Sequence, residues 1–440
     1  MALPPRVTYA FGGKQARAHK EQRKIIATIS THTIYTEEQV ARYHVDETKE
    51  IPLKVIVTFE HEQKYSKEGC HMIYFPDRAL DWATITPEEA GLDAAKLDTA
   101  LNFAISHETS WPHDIHRSGA IPTLTDLEEP PYNQPLGPIE PRGGPNGLIL
   151  RGGKIVAQWG DPSRPDMTFS IAKSYLSVLM GLAVADGSVT NLDEPVKNKV
   201  PGDLFKGEHN AAITWRHLLH QTSEWEGTLF DRPDLVDRNR QVGPKSDNSR
   251  KGQHRDLKAP GSFWEYNDVR VNLLSLSLLH LFKSPLPEVL KTRIMDPIGA
   301  SDTWTWHGYD NAFVNIDGQW MQSVPGGTHW GGGIQINSYD HARFGLLIHR
   351  AGKWNTKALL PTGWVEAMRT PCPIRPGYGF LWWLNTDHGE WPNAEASSYA
   401  AVGAGSNIIW IDPENDLVVV ARWIEQSAVA EFLRLISATV

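Results

Sequence analysis

The segment around residues 167–187 constrains the fold most, because it predicts a helix with almost no polar face. Residues 167–175 read MTFSIAKSY and continue as LSVLMGLAVADG to Gly187. A helix that is apolar nearly all round is normally enclosed by other elements, and a lone ammonium there is unfavourable unless it is paired or its pKa falls. Ser170 lies three residues before Lys173, about 300° around the helix and roughly 4.5 Å along it, so the hydroxyl and the amine can share one small space.

Composition excludes several classes of function. With 440 residues, 40% hydrophobic and 22% charged, the chain has the makeup of a soluble globular protein of two or three domains or one large composite domain. A net charge of −9 argues against nucleic acid as the main partner. No signal-peptide core and no run of 18 apolar residues occurs, so we predict no membrane partner and a cytoplasmic location.

The order of the predicted elements indicates a mixed α/β (α+β) fold with an antiparallel sheet flanked by helices. Asp93 can cap a helix, LIL and IVAQWG around RGGK (148–160) read as a hairpin, and NIIWI and LVVVAR (407–422) read as a second hairpin before a final helix at 427–438. Two such sets at opposite ends of the chain most simply combine into one sheet.

The predicted domains follow from that arrangement. Residues 79–165 and 300–440 would form the α/β domain, and 166–299 an inserted, mainly helical domain. Within the latter, the polar stretch 231–260 reads either as a solvated loop or as a substrate-access lid. Residues 1–78 form an N-terminal extension of unknown role, with a possible capping box at Thr36–Gln39 and a strand-like segment at 53–59.

Several familiar catalytic motifs are absent from the sequence. No G-x-S-x-G surrounds any serine, and no H-E-x-x-H occurs. His217 and His220 share a helix face without an acidic neighbour, and the two cysteines, Cys70 and Cys372, are too few for a disulfide framework or a cysteine-rich zinc site. We therefore predict no metal and no cofactor.

One set of residues that could form a catalytic site remains after these exclusions, and it begins with Ser170 and Lys173. Ser-x-x-Lys alone is a weak signal, but three further segments accompany it in order. PGSFWEYND (260–268) places Tyr266 between a turn and a helix, GGTHWGGG (326–333) is a glycine-rich stretch that contains Trp330, and GAGS (403–406) leads directly into a strand. Glycine there allows backbone to approach a ligand closely.

In this order the segments resemble the serine β-lactamase and penicillin-binding-protein superfamily, closest to its family VIII carboxylesterase and related serine-hydrolase branch. The resemblance covers about residues 80–440. It implies a β-lactamase-like fold and a serine hydrolase that acts through an acyl-enzyme on small ester or amide substrates. Within it, PEEAGLDAAKL, ITWRHLLHQTS and YGFLWW are weaker matches.

The resemblance also implies roles for single residues. Ser170 would be the nucleophile at a helix N-terminus, and either Lys173 or Tyr266 the general base. The backbone N–H groups of Ser170 and Ser406 would form the oxyanion hole. If Lys173 is the base, its pKa must be about three units below the usual 10.4.

Two departures from the family pattern bear on the substrate. Asp268 stands where many relatives have asparagine, and the third motif, usually Lys-Thr-Gly or His-Thr-Gly, aligns with Gly403-Ala404-Gly405, which has no basic residue. We therefore expect Asp268, Trp330, Gly403 and Gly405 as further substrate contacts and a preference for neutral esters. We also expect Gly403→Lys to raise the relative rate on penicillins. The alternatives are an amide hydrolase (β-lactamase, D-amino-acid peptidase or oligoamide hydrolase) and a ligand-binding sensor without turnover.

Overall fold

A computed structural model describes residues 73–78, 81–115, 128–243 and 246–440. The chain divides into two compact units, Met1–His71 and Met72–Val440. The capping box predicted at Thr36–Gln39 and the strand predicted at 53–59 lie outside the described residues.

The described part of the second unit contains α-helices and short strands. The helices are α1 (Ala94–Ser106), α2 (Ile171–Ala185), α3 (Gly207–Ala211), α4 (Trp215–Leu219), α5 (Asp268–Phe282), α6 (Leu286–Leu290), α7 (Ser338–His349), α8 (Trp364–Met368) and α9 (Val429–Ser437). The strands are β1 (Asn146–Arg151), β2 (Lys154–Trp159), β3 (Asp166–Met167), β4 (Thr228–Leu229), β5 (Arg232–Pro233), β6 (Thr305–His307), β7 (Phe313–Ile316), β8 (Gln319–Gln322), β9 (Gly333–Ile336), β10 (Lys353–Trp354), β11 (Lys357–Ala358), β12 (Trp383–Leu384), β13 (Tyr399–Gly403), β14 (Asn407–Asp412) and β15 (Leu417–Arg422).

Both ends of this unit contribute to one six-stranded antiparallel sheet in the order β12-β13-β14-β15-β1-β2. In its centre Val420 pairs with Leu148 on one side and with Ile409 on the other. The mixed fold with an antiparallel sheet and helices, predicted from the two hairpins, is therefore confirmed. The partition at residues 166 and 299 stays a prediction.

Alternating side chains of the sheet pack into two cores. On one face, Leu148 and Val420 join the large core that contains α2, α5 and α7. On the other, Ile149 and Val419 join a smaller core with α1 and α9. The period of two along each strand is what a sheet covered by helices on both faces requires.

A small sheet positions the start of α2. Met167 in β3 pairs with Gln335 in β9, which in turn pairs with β6. Ser170 therefore begins its helix beside the glycine-rich segment 326–333, and α2 then runs through the large core with residues 171–183 buried. The enclosure predicted for this helix is confirmed.

No helix in the described ranges is both long and apolar enough to cross a membrane. The cytoplasmic location stays a prediction.

Candidate active site

Ser170 is the N-cap residue of α2, and its side chain makes no capping hydrogen bond. The residue before it, Phe169, has a left-handed backbone with φ 51° and is fixed by edge-to-face packing on Trp111 and Trp423. Such a conformation is unusual for an aromatic residue and persists where the surrounding packing enforces it. The turn presents the Ser170 hydroxyl to an open cleft, since Ser170 lines that cleft.

The ammonium in the buried helix is paired. Lys173, only 1% exposed, donates a hydrogen bond from Nζ to Ser170 Oγ over 2.9 Å. The same Nζ lies 2.5 Å from Oδ1 of Asp268, which is also buried at the start of α5. The serine, the lysine and the aspartate therefore form a continuous chain of contacts.

The charge state of Lys173 bears on which residue can be the base. Burial alone lowers its pKa, but the Asp268 carboxylate raises it more, so the net pKa lies above the ordinary value. Burial likewise raises the pKa of Asp268, and Lys173 and Arg240 more than reverse this, leaving it well below its usual range. Of the two alternatives that the sequence left for the buried ammonium, pairing or a lowered pKa, the structure shows pairing. The lowered pKa that Lys173 would need as the base is therefore absent.

Tyr266 lies between two cations at the cleft wall. Its ring centroid is 4.7 Å from Lys173 Nζ and 5.2 Å from Arg240 Cζ, and the ring stacks on Trp383 at 6.0 Å. Its hydroxyl has no hydrogen-bond partner among the described residues. The structure thus places Ser170, Lys173 and Tyr266 around one point, as the resemblance implied.

Sequence reasoning missed a buried charge cluster behind this point. Arg240 Nη1 donates to Asp268 Oδ2 over 2.9 Å and to Asp237 Oδ2 over 3.3 Å. His329 Nδ1 lies 3.3 Å from Asp268 Oδ2, and its Nε2 lies 2.6 Å from Glu128 Oε1. Burial lowers the pKa of His329, but Asp237, Asp268 and Glu128 outweigh it, so the net pKa is raised. No short-range motif marks these residues, because they come from four distant segments.

Part of the cluster has the side chains of a metal site. One ligand atom each from Glu128, Asp237 and His329 lies within 4.8 Å of the others. Lys251 is already there, however: its Nζ pairs with Glu128 and lies 3.3 Å from Asp237 Oδ1. The ammonium thus supplies the positive charge that these carboxylates need.

The first glycine-rich segment allows backbone to approach Ser170 and Lys173. A Cβ on Gly327 would lie 3.3 Å from Lys173 Nζ and 3.6 Å from Ser170 Oγ, and one on Gly326 would lie 2.3 Å from a Val271 methyl carbon. Trp330, in contrast, is buried and does not line the cleft; its stacked neighbour His329 does.

The second glycine segment corrects one expectation. A Cβ on Gly403 would lie 2.3 Å from the Thr168 carbonyl oxygen and 3.2 Å from the Ser170 nitrogen. Gly403→Lys therefore cannot install a cation without displacing the turn before α2, and that prediction is wrong.

The end of this segment also borders the cleft. Ala404, Gly405 and Ser406 all line it. Ser170 lines the same cleft, so the start of α2 and the segment after β13 border one space.

The cleft itself has a volume of about 990 Å³. Aromatic rings and a polar loop share its walls. The aromatic part consists of Trp111, Tyr132, Tyr266, Trp383 and Trp391. Residues 233–253 contribute much of the opposite wall, so the stretch 231–260 is more than a solvated loop: it shapes the space in front of Ser170.

The family model described as Beta-lactamase matches residues 147–423, more than half of the chain. No curated protein sequence matches.

Solved structures resemble the chain at low identity. A putative 6-aminohexanoate-dimer hydrolase from Bacillus anthracis is 18% identical, with 67% of this chain and 77% of that chain covered and a TM-score of 0.49. EstCE1, a hydrolase with promiscuous acyltransferase activity, is 16% identical over 67% and 93% of the two chains, with a TM-score of 0.49. A D-stereospecific amidohydrolase from Streptomyces sp. is 16% identical over 67% and 93%, with a TM-score of 0.46. At these values the likeness does not bear on substrate.

Proposed function

Because the chain belongs to the Beta-lactamase family, we propose that it is a serine hydrolase that acts through an acyl-enzyme on small esters. One observation carries the proposal: Lys173 donates a hydrogen bond to Ser170 Oγ over 2.9 Å at the wall of a large cleft. A serine hydroxyl held by a buried cation and open to a cleft is equipped for nucleophilic attack.

Tyr266 is the proposed general base. Lys173 is held protonated by Asp268 and donates to Ser170, so it has no free lone pair for the seryl proton. Tyr266 faces the same point with its hydroxyl unoccupied, and the positive charges of Lys173 and Arg240 stabilise a phenolate there. Lys173 then acts electrostatically.

The proposed reaction has two halves. Ser170 Oγ attacks the ester carbonyl carbon while its proton passes to the Tyr266 oxygen. Collapse of the tetrahedral intermediate expels the alcohol, which takes that proton and leaves an acyl-serine. Water repeats the sequence and releases the acid. The Ser170 N–H and one from Ala404 or Ser406 would stabilise the oxyanion, a contribution of several kcal/mol in comparable sites.

Serine variants on one helix face test the proposal. Ser170→Ala should lower kcat/KM on p-nitrophenyl butyrate by several orders of magnitude, up to about 10⁶. Ser177→Ala is the matched control, since this buried serine lies two turns further along the helix and its hydroxyl has no hydrogen-bond partner in the part of the chain that the structure describes. Equal activity of the Ser170 and Ser177 variants would reject Ser170 as nucleophile.

The substrate class needs a separate comparison. Purified protein with matched ester, amide and β-lactam substrates should turn over the ester fastest. Faster hydrolysis of an amide or a β-lactam would support the serine hydrolase mechanism but reject esters as the preferred substrates. Stoichiometric acylation without turnover would indicate a sensor.

A further inference from the structure

Arg240 directs unused hydrogen-bond donors into the cleft. Its Nη1 serves both Asp268 and Asp237. Its Nε and Nη2 have no partner among the described residues, and neither is a fully buried polar atom. The side chain is 17% exposed and lines the cleft with Ser170. A planar guanidinium with one free edge can donate two parallel hydrogen bonds to a carboxylate in bidentate geometry.

Arg240 belongs to a cluster of charged side chains behind the cleft wall. Its other members are Lys173, Lys251, His329, Asp237, Asp268 and Glu128. Asp237 and Asp268 hold Arg240 through Nη1, so the free edge of the guanidinium is held in place before a substrate arrives.

Arg240 is also close to the reacting atoms. A single carboxylate, Asp268, joins it to Lys173, with Oδ2 on Arg240 and Oδ1 on the lysine. The Tyr266 ring lies against both cations. A group held by Arg240 would therefore stand beside the ester bound at Ser170.

We propose that Arg240 binds a carboxylate of the substrate, so that the preferred esters are half-esters of short dicarboxylic acids. The inference rests on the proposed ester hydrolysis and specifies its substrate class. It revises the expectation of neutral esters, which followed from the missing cation of the third motif. Here the cation comes from the loop at 231–260 instead.

The other cations of the cleft wall fit this role less well. Arg375 is 42% exposed, pairs with Glu390 at 3.3 Å and packs on Trp264. Lys251 is engaged by Glu128 and Asp237. Arg375 is thus a suitable control, because it is a second cleft arginine with its own carboxylate.

The decisive experiment compares two esters that differ by one methyl group, mono-p-nitrophenyl glutarate, which bears a carboxylate, and its neutral methyl ester. The enzyme-free rate is subtracted for each, because the free carboxylate can attack its own ester and form glutaric anhydride. Wild type should favour the charged ester at least tenfold in kcat/KM. Arg240→Gln should bring that ratio close to one, Arg240→Lys should keep part of it, and Arg375→Gln should leave it unchanged. A purely structural role would lower both rates together and leave the ratio intact, which would overturn the proposal, as would loss of the preference in Arg375→Gln.

A binding measurement separates this inference from the proposed function. Glutarate should bind the Ser170→Ala protein, measured by calorimetry, at least tenfold more tightly than it binds the Ser170→Ala/Arg240→Gln protein. Such binding without any ester turnover in wild type would reject the proposed ester hydrolysis but support carboxylate binding by Arg240. Turnover with equal glutarate affinity in both variants would reject the Arg240 site alone.

Discussion

Asp268→Asn should destabilise the protein by an amount that shrinks as pH rises. The change removes the charge that pairs with Lys173 at 2.5 Å and with Arg240 at 2.9 Å. Breaking a buried ion pair on one side typically costs about 3–5 kcal/mol, because the other charge stays buried. Lys173 can avoid being a buried, unpaired charge by losing its proton. For a lysine of ordinary pKa near 10.4, deprotonation costs about 4.6 kcal/mol at pH 7 and about 1.9 kcal/mol at pH 9.

The pH dependence of stability follows from the two pKa shifts. In wild type the pKa of Lys173 is raised above 10.5, so the ion pair stabilises the protein until the pH rises through that pKa. The pKa of Asp268 lies well below 3.8, so the ion pair also stabilises the protein until the pH falls through that lower value. The pair therefore contributes constantly from pH 6 to 9. In the variant, burial lowers the lysine pKa, so stability rises with pH.

Urea unfolding at pH 6, 7.5 and 9 measures this difference. We expect Asp268→Asn to be about 3–4.6 kcal/mol less stable than wild type near pH 7, and we expect this deficit to be about 1–3 kcal/mol smaller at pH 9, where Lys173 loses its proton more easily. Asp193→Asn is the control, because Asp193 is 57% exposed and pairs with Arg216; it should cost no more than about 1 kcal/mol at any pH. A deficit for Asp268→Asn that stays constant or grows with pH would refute the assigned charge states.

Three further predictions concern the site. Lys173→Arg should lose kcat/KM nearly as fully as Lys173→Ala, because the space beside Gly327 fits a compact ammonium and a planar guanidinium is larger; recovery of most activity with arginine would contradict this. Gly327→Val should lower kcat far more than stability, measured by ester turnover and thermal unfolding, since its side chain would push on Lys173 and Ser170; unchanged kcat would contradict the packing. EDTA should not reduce activity, because Lys251 already neutralises Glu128 and Asp237; inhibition reversed by added zinc would show a metal in that place.

The sequence predicted those parts of the fold that depend on short-range patterns. Alternation along 407–411 and 417–422 predicted the second hairpin, and the structure has β14 at Asn407–Asp412 and β15 at Leu417–Arg422. Asp93 was expected to cap a helix, and its side chain accepts a hydrogen bond from the Lys96 N–H. Periodicity and capping are local, so they can be read without the tertiary structure.

The charge state of the site could not be predicted in the same way. The sequence shows Asp268 two residues after Tyr266, but not that its carboxylate turns back onto Lys173. Arg240 and His329 reach the same carboxylate from segments some 28 and 61 residues away. The pKa of a buried group depends on these long-range neighbours, so the sequence alone could not decide between Lys173 and Tyr266 as the base.

The conformation of Gly403 was also beyond sequence reasoning. The glycine pattern predicted that the backbone there approaches a ligand closely, which stays a prediction, whereas the structure shows a close approach to the chain's own backbone. Which group approaches, the Thr168 carbonyl oxygen beside the Ser170 nitrogen, depends on how β13 meets the turn before α2. A lysine at 403 is therefore unsuitable for a steric reason that the motif alone does not contain.

Mass spectrometry of the acyl-enzyme tests the central claim most directly. Protein mixed briefly with excess p-nitrophenyl butyrate and quenched in acid should gain the mass of one butyryl group, located by digestion on the peptide that ends at Lys173 and contains Ser170. Ser177→Ala should gain the same adduct, and Ser170→Ala none. An adduct on another residue, or ester turnover that persists in Ser170→Ala, would contradict the account.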